Sequence, residues 1–244
     1  MRYHRLVVRL TSLYARRGKR LLDLAVAAPA LALLAPVMLL VALAIRWSMG
    51  RPVLFRQERP GRDERTFRLV KFRTMLAAVD RNGLDLPDSA RITKLGRLLR
   101  RTSLDELPTL LNVVRGDMSL VGPRPLLVRY LPFFREVERE RFLVRPGITG
   151  LAQINGRNTV DWDDRLAWDV RYVRTLSLAA DIRILALTLL RVFRGSGVVP
   201  VANDLLLDLD EQRRGTATSA GPLRNSEPSV PAAPAQYPGG PGSS

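Results

Sequence analysis

Two adjacent carboxylates, Asp105 and Glu106, stand directly before a short apolar segment. The apolar residues that follow are separated by gaps of three, one and three: Leu107, Leu110, Leu111 and Val114. This spacing predicts one face of a helix, with both carboxylates in or beside its first turn. The helix dipole would favour an ionised carboxylate there, and free backbone N–H groups would bind phosphate. Nucleophilic or phosphate chemistry is one interpretation, and simple helix capping is the other.

The ends of this segment carry further signals. Ser103 and Glu106 have capping-box spacing, which would start the helix after Ser103, whereas Pro108 is best suited to the first helical position. The sequence therefore leaves two alternatives for the residue at which the helix begins. After the helix, Arg115 lies in an RGD sequence and Arg124 in GPRP, where Gly and Pro favour tight turns. The planar guanidinium of arginine suits phosphate oxygens. The loop is either an anion site or a solvated basic loop.

Composition restricts the chemistry. The chain has 244 residues, no cysteine and a single histidine, His4, so thiol, disulfide, zinc-finger and His-based triad chemistry are excluded. Any catalysis must rest on carboxylates, Lys or Arg. A net charge of +16 calls for an anionic partner such as nucleic acid, acidic lipid or a phosphorylated substrate.

A membrane segment precedes these residues. The stretch Leu24 to Ile45 is uncharged and long enough to cross a hydrocarbon core. It starts too late and runs too long for a cleaved signal peptide. Basic residues flank both ends, which favours keeping both in the cytoplasm, and Pro36 offers a bend that would return the chain. A kinked spanning helix and a re-entrant hairpin remain equal alternatives.

The carboxylates need elements that bring cations to them. Residues 52–55 and 67–72 predict two strands of a hairpin, joined by a charged, turn-prone segment. Lys71 and Arg73 are two residues apart and would share one strand face, where two like charges favour an anion. A solvated edge strand is the alternative. A short basic helix over 92–101 would carry Arg100 towards the carboxylates.

The rest of the chain predicts supporting elements. Residues 77–88 predict a loop, 126–144 a helical segment broken at Pro132 with surface arginines, and 145–158 a functional Gly-rich loop. Two helices should follow, over 162–174 and from Asp181. The second suits either a membrane surface or the core. Residues from Glu211 onward have no apolar periodicity, so we expect them to be disordered and dispensable.

In its motifs the sequence resembles the bacterial sugar transferases, the monotopic polyprenyl-phosphate phosphoglycosyl transferases. The resemblance covers roughly residues 17–200. It rests on these stretches, in order: KRLLDL, KFRTM, SLDELP, LLNVVRGDMSLVGPRP, RPGITGLAQINGRN and WDVRYV. One departure is Ala35 before Pro36, where related chains often have Ser, whose hydroxyl helps a helix bend.

The resemblance implies transfer of a sugar-1-phosphate from a UDP-sugar to a polyprenyl phosphate, with release of UMP and a requirement for Mg²⁺. Asp105 would be the nucleophile that forms a phosphosugar-enzyme intermediate. Glu106 would bind metal with it or deprotonate the acceptor, and Arg124 would hold the diphosphate. Other motif positions imply phosphate or nucleotide binding: Lys71, Arg73, Arg100, Arg145 and Asp169.

The fold class expected is α/β and mostly helical, with three parts. These are a basic N-terminus and re-entrant membrane helix (1–50), a cytosolic transferase domain with a small hairpin and membrane-surface helices (51–205), and a disordered tail (206–244). Expected partners are the UDP-sugar, polyprenyl phosphate and membrane lipids, without nucleic acid and with room for a homodimer. The location implied is the cytoplasmic face of a bacterial inner membrane. A non-catalytic, membrane-anchored basic protein is the alternative, which explains the charge but not the carboxylate pair.

Overall fold

The computed structural model describes residues 14–76, 91–155, 161–193 and 208–219. A π-helical turn, Tyr14–Gly18, leads into helix α1, Lys19–Met49, whose 31 residues give a length of about 46 Å. Within the described ranges, α1 is the one helix long and apolar enough to cross a membrane. The predicted apolar segment lies inside it. The helix is continuous through Pro29 and Pro36.

The predicted hairpin is present. Strands β1, Leu54–Pro60, and β2, Thr66–Phe72, pair antiparallel, with Phe55 opposite Lys71 and Arg59 opposite Phe67. Strand β1 therefore continues through residues that we predicted as a turn. Side chains of directly paired residues lie on one face of a sheet, so Lys71 and Arg59 share a face.

The carboxylate segment differs in detail from the prediction. Helix α2, Lys94–Arg101, is followed by a 3₁₀ turn, Leu104–Thr109, and then by the short helix α3, Leu110–Arg115. Ser103 has a left-handed backbone (φ 58°) and its side chain caps nothing, so the capping box is not formed. Asn112 and Val113 are buried together with Leu110, because α3 packs against β2 on one side and α1 on the other.

Past α3 the chain forms a small parallel pair, β3, Ser119–Val121, with β4, Gly147–Thr149. Between them, the segment predicted as helical consists of two 3₁₀ segments, Val128–Phe133 and Val137–Leu143. Pro132 lies inside the first of them, where it cannot donate a backbone hydrogen bond. A one-turn helix α4, Leu151–Asn155, follows β4.

Two longer helices follow α4 in the chain. Helix α5, Trp162–Arg174, is where the periodicity predicts it, and α6, Leu178–Phe193, begins three residues before Asp181. Asp181 is fully buried and accepts hydrogen bonds from Lys19 Nζ at 2.6 Å and Tyr172 Oη at 2.8 Å. Helix α6 thereby joins α1 and α5. Its Ile184 is buried, yet several apolar side chains remain exposed: Leu178, Ile182, Leu189, Leu190 and Val192.

The start of the tail is folded, contrary to the prediction. Helix α7 spans Leu209–Ser219, and Leu209 is completely buried against the 3₁₀ segments and α5. The prediction failed because it relied on apolar periodicity. This helix is instead held by one buried leucine, Leu209, and by buried charged residues, Asp210 and Arg213. The predicted loop over 77–88 and part of the Gly-rich loop, 156–160, lie outside the described residues.

Both ends of α1 contact the same domain. Near the start, Asp23 accepts hydrogen bonds from Ser119 Oγ and Leu120 N, each at 2.9 Å. Near the end, Ile45 is buried in a cluster with Phe72 and Leu99. The fold is thus mostly helical with two small sheets, and its long apolar helix lies along the domain.

Candidate active site

The carboxylate pair is held against β2 by side-chain contacts to the strand backbone. Thr109 Oγ1 donates to Val70 O at 3.0 Å. Asn112, fully buried, accepts from Val70 N at 3.0 Å and donates to Arg68 O at 2.8 Å. These bonds give hydrogen-bond partners to the backbone groups on the edge of β2 that faces away from β1, as a neighbouring strand would. They fix the 3₁₀ turn so that Asp105, 6% exposed, lies close to the Lys71 end of the strand.

Three predicted cations surround the pair. Arg124 forms an ion pair with Glu106 at 2.8 Å, and Lys71 and Arg100 interact electrostatically with Asp105. Lys71 Nζ lies 5.5 Å from the centre of the Phe55 ring, which faces it across the hairpin. Arg100 Nε donates to Thr74 Oγ1 at 3.0 Å. The structure therefore brings together five of the eight predicted site residues.

The close packing of α2 sets the position of Arg100. Gly96 contacts the backbone of Thr74 so tightly that a Cβ there would lie 1.9 Å from Thr74 O. Thr93 caps the helix by accepting from Gly96 N at 2.9 Å. Arg100 lies one turn after Gly96, which directs it towards Thr74 and the carboxylates.

Burial decides the charge state of Asp105. Burial, and then the charge of Glu106, raise the pKa of Asp105 to about 6, and Lys71, Arg100 and Arg124 offset only part of this effect. This direction is opposite to our helix-dipole prediction, because the pair lies within the 3₁₀ turn before α3 and the Asp105 carboxylate is desolvated. Burial likewise lowers the pKa of Lys71. At neutral pH Asp105 is still mainly a carboxylate, and a more basic one than usual.

Two predicted cations lie elsewhere. Arg73 donates to the carbonyls of Met49, Gly50 and Arg51, so it caps the end of α1. It follows β2 rather than sharing its face with Lys71. Arg145 Nε donates to Gly116 O at 2.7 Å, and its charged neighbours are Arg62, Arg20 and Asp23 rather than the pair.

Asp169, predicted near the nucleotide, is buried and pairs with Arg141 at 2.8 Å. Arg141 also donates to the backbone carbonyl of Arg124 at 2.7 Å. Asp169 therefore supports, through Arg141, the GPRP loop at 122–125, which we call the Arg124 loop. We predicted Arg141 as a surface residue, but it is buried because these two acceptors and the rings of Phe134 and Phe142 enclose it.

Two further arginines that the sequence reasoning missed reach the Arg124 loop. Arg59 donates to Pro125 O at 3.2 Å, and burial and the charge of Arg124 lower its pKa to about 10. Arg165 stacks on Trp162, 4.4 Å from the ring centre, and burial and Arg124 lower its pKa. Strand alternation gave a signal for Arg59, which shares a face with Lys71. Arg165 lies one turn before Asp169, so helical spacing gave a signal for it.

The donor set suits a magnesium ion that is shared with a substrate. Asp105 and Glu106 are adjacent carboxylates, and among the residues described no group of three acidic or histidine side chains gathers to hold a metal alone. Mg²⁺ is commonly bound by one or two carboxylates together with substrate phosphates. The pair fits that mode.

The amino-acid sequence matches a known family of proteins. The sequence profile of the bacterial sugar transferases matches residues 14–195, so the chain belongs to this family and is a transferase. It is 48% identical over 180 residues to the "Uncharacterized sugar transferase EpsL" of Bacillus subtilis, covering 74% of this chain and 89% of the relative.

Other relatives carry more specific names. The chain is 44% identical over 182 residues to the "UDP-glucose:undecaprenyl-phosphate glucose-1-phosphate transferase" of Caulobacter vibrioides, covering 70% of this chain and 67% of the relative. It is 39% identical over 189 residues to the "Exopolysaccharide production protein ExoY" of Sinorhizobium fredii, with coverage of 70% and 84%. The family profile matches the chain up to residue 195, so the match ends before α7 begins at Leu209.

The charge state of Asp105 gives a prediction about stability. Because folding raises the pKa of this carboxyl from 3.8 to about 6, its contribution is favourable at low pH and is lost as pH rises through 6. Asp105→Asn should therefore raise stability at pH 8 by up to about 3 kcal/mol, and much less at pH 4. Thermal unfolding in detergent at both pH values measures this. Asp63→Asn, at an exposed site, is the control, and equal effects at both pH values would contradict the prediction.

Proposed function

We propose that this transferase moves a sugar-1-phosphate from a UDP-sugar to undecaprenyl phosphate and releases UMP. The family shows that the chain is a transferase, and the names of its relatives support this donor and acceptor. The observation that carries the proposal is a buried carboxylate, Asp105, enclosed by Lys71, Arg100 and Arg124 beside an apolar helix. Such a site suits a phosphorylated donor and a lipid-linked acceptor.

Charge favours a diphosphate at the Arg124 loop. Four arginines meet there: Arg59, Arg124, Arg141 and Arg165. Among the described residues, three carboxylates offset them in part, and these are Asp105, Glu106 and Asp169. Each phosphate of a nucleotide sugar carries a negative charge, so the donor would neutralise this excess. Its diphosphate would compete with Glu106 for the exposed Arg124 guanidinium.

The chemistry we propose has two displacements at one phosphorus. An Asp105 carboxylate oxygen attacks the phosphorus that bears the sugar, the bond from that phosphorus to the UMP oxygen breaks, and UMP leaves with its electron pair. A phosphate oxygen of the polyprenyl acceptor then attacks the same phosphorus and releases Asp105. The raised pKa makes Asp105 a stronger nucleophile, and the cations stabilise charge on the phosphoryl oxygens.

Glu106 would have a different role. Its backbone N–H is hydrogen-bonded to Ser103 O at 3.2 Å, and its carboxylate is turned to Arg124 rather than buried like Asp105. It would hold a bound Mg²⁺ with Asp105 or take the acceptor proton. When bound, the ion supplies Lewis-acid stabilisation of phosphate charge.

We also propose that α1 enters and leaves the membrane on the cytoplasmic face. Lys19, Arg20 and Asp23 near its start contact the same domain as Ile45 and Met49 near its end. A helix with both ends attached to one soluble domain cannot leave one end across the bilayer. The exposed apolar side of α6 is suited to the membrane surface beside it.

A covalent intermediate can be tested directly. Purified enzyme given UDP-glucose and Mg²⁺ without acceptor should release about one UMP per active site and gain one hexose phosphate on the Asp105 peptide, read by mass spectrometry. Asp105→Asn should abolish both signals and turnover. Glu106→Gln should slow turnover severely, and Asp63→Asn, at an exposed site, is the control. If UMP appears only when acceptor is present and no adduct forms, transfer is direct.

The diphosphate site predicts different effects for two arginines on one strand. Arg59→Gln should raise KM for the UDP-sugar by about tenfold, because a hydrogen bond to a charged group is lost. Arg56 lies on the opposite face of β1 and is exposed, so Arg56→Gln should change KM less than twofold. Steady-state kinetics at fixed acceptor measures both. Equal increases would mean that only general surface charge attracts the donor.

The topology can be tested because the chain has no cysteine. Single cysteines replacing Arg17 and Arg51 should both resist an impermeant maleimide in intact cells and both react after permeabilisation. A cysteine replacing Leu33, 79% exposed in the middle of α1, should stay unlabelled in membranes but react in denaturant. Labelling of one helix end in intact cells would establish a spanning helix.

A further inference from the structure

Helix α7 lies beyond the residues that the family profile matches, yet it is built into the domain. Leu209, fully buried, completes an apolar cluster. The other buried members of that cluster are Leu126, Tyr130, Phe134, Phe142, Trp162 and Leu166. The cluster adjoins the Arg124 loop, because Leu126 directly follows that loop in sequence and Trp162 contacts Arg165.

Arg213 joins α7 to two elements of the domain. Its side chain is 2% exposed and forms ion pairs with Glu138, at 2.9 Å, and with Asp163. Glu138 belongs to the second 3₁₀ segment and Asp163 to the first turn of α5. Removing one partner of a buried pair leaves an uncompensated charge, so this junction is costly to open.

The same two elements carry side chains that position the four arginines at the Arg124 loop, namely Arg59, Arg124, Arg141 and Arg165. Arg141 lies three residues after Glu138 and bridges the backbone of Arg124 to Asp169, with bonds of 2.7 and 2.8 Å. Arg165 lies two residues after Asp163. Arg135 pairs with the same two carboxylates, with Glu138 at 3.7 Å and with Asp163 at 3.0 Å. Arg213 is the buried second cation of this junction, and with Arg135 it holds the segment that supports Arg124 at a set spacing from the helix that carries Arg165.

A second connection runs through aromatic rings. Asp208, directly before α7, accepts a hydrogen bond from Tyr130 Oη at 2.6 Å and pairs with Arg129. The Tyr130 ring packs edge-on against Trp162 with 5.6 Å between centres, and Arg165 stacks on Trp162. The residue before α7 thus fixes the Tyr130 ring, which packs on the Trp162 ring that contacts Arg165.

We propose that α7 is a positioning element for the anion site and holds Arg124 and Arg165 at the spacing a diphosphate requires. Arg213 acts through Asp163 and through the segment of Glu138 and Arg141, whereas Asp208 acts through Tyr130 and Trp162. Neither α7 nor Arg213 touches the ligand. The inference depends on the proposed function for the identity of the ligand. It extends the binding machinery into a helix outside the region that the family profile covers.

Two truncations and one pair of point variants separate positioning from general stabilisation. Each is made in an Asp105→Asn background, where UDP-glucose should bind without reacting, and binding is measured by titration calorimetry. A stop after Ser219 keeps α7 and should leave Kd unchanged. A stop after Leu207 removes α7 and should weaken binding by about tenfold. Arg213→Met should have the same effect, whereas Arg214→Met, at a neighbouring exposed site, should have little.

Stoichiometry distinguishes the outcomes. A positioning role weakens Kd while the number of sites per chain stays at one, whereas loss of folded protein lowers the number of sites and leaves Kd unchanged. Unchanged Kd in Arg213→Met would overturn the inference and leave the proposed function intact. Failure of the proposed function is read separately, from absence of UMP release by the enzyme with native Asp105 across a panel of UDP-sugars.

Discussion

The candidate site depends on one buried amide. Asn112 is 0% exposed, and its side chain bonds to both a donor and an acceptor on the outer edge of β2. Leaving either backbone group without a partner in the core would cost about 1–3 kcal/mol. Only one register of α3 against β2 satisfies both bonds. That register fixes the 3₁₀ turn before α3 and sets Asp105 beside Lys71.

Placing the carboxylate there has an electrostatic cost that the site partly offsets. Desolvation and Glu106 both disfavour the charged form of Asp105, and the three nearby cations favour it. The cations of the pair and of the adjoining loop also repel one another. Burial is the main cause that lowers the pKa of Lys71, Arg59 and Arg165, and the charge of Arg124 lowers each of them further. A bound anion would lower the energy of the whole group. The cations therefore repel one another in the free protein and would be stabilised by a bound phosphorylated ligand, as is expected of an anion-binding site.

The sequence predicted which residues lie together better than it predicted the contacts that each of them makes. Asp105, Glu106, Lys71, Arg100 and Arg124 do lie together, because each stands on a local element whose pattern is readable. Arg73 and Arg145 do not join them, because each instead satisfies backbone carbonyls at the end of a helix, α1 for one and α3 for the other. Periodicity carries no information about such caps when the carbonyls come from distant segments.

Asn112 and α7 were missed for a related reason. A polar residue in a helical pattern predicts a solvated position, whereas Asn112 is buried because its partners lie on a strand about forty residues away. The tail has too few apolar residues to predict folding, but Arg213 finds two carboxylates within the domain. Pairing across long sequence distances is invisible to local patterns.

Near its start, helix α1 is joined to the candidate site by charged and polar contacts, in addition to the apolar contacts that Ile45 makes near its end. Asp23 ties α1 to β3, Arg20 donates to the carbonyls of Val113 and Val114 at the end of α3, and Lys19 reaches Asp181. These bonds lie on elements that directly follow or support the carboxylate turn. Under the proposed function, an acceptor phosphate attached to a long lipid would arrive at a fixed height above the hydrocarbon. Because these bonds join α1 to the elements that adjoin the carboxylate turn, the depth of α1 in a bilayer would also set the height of Asp105.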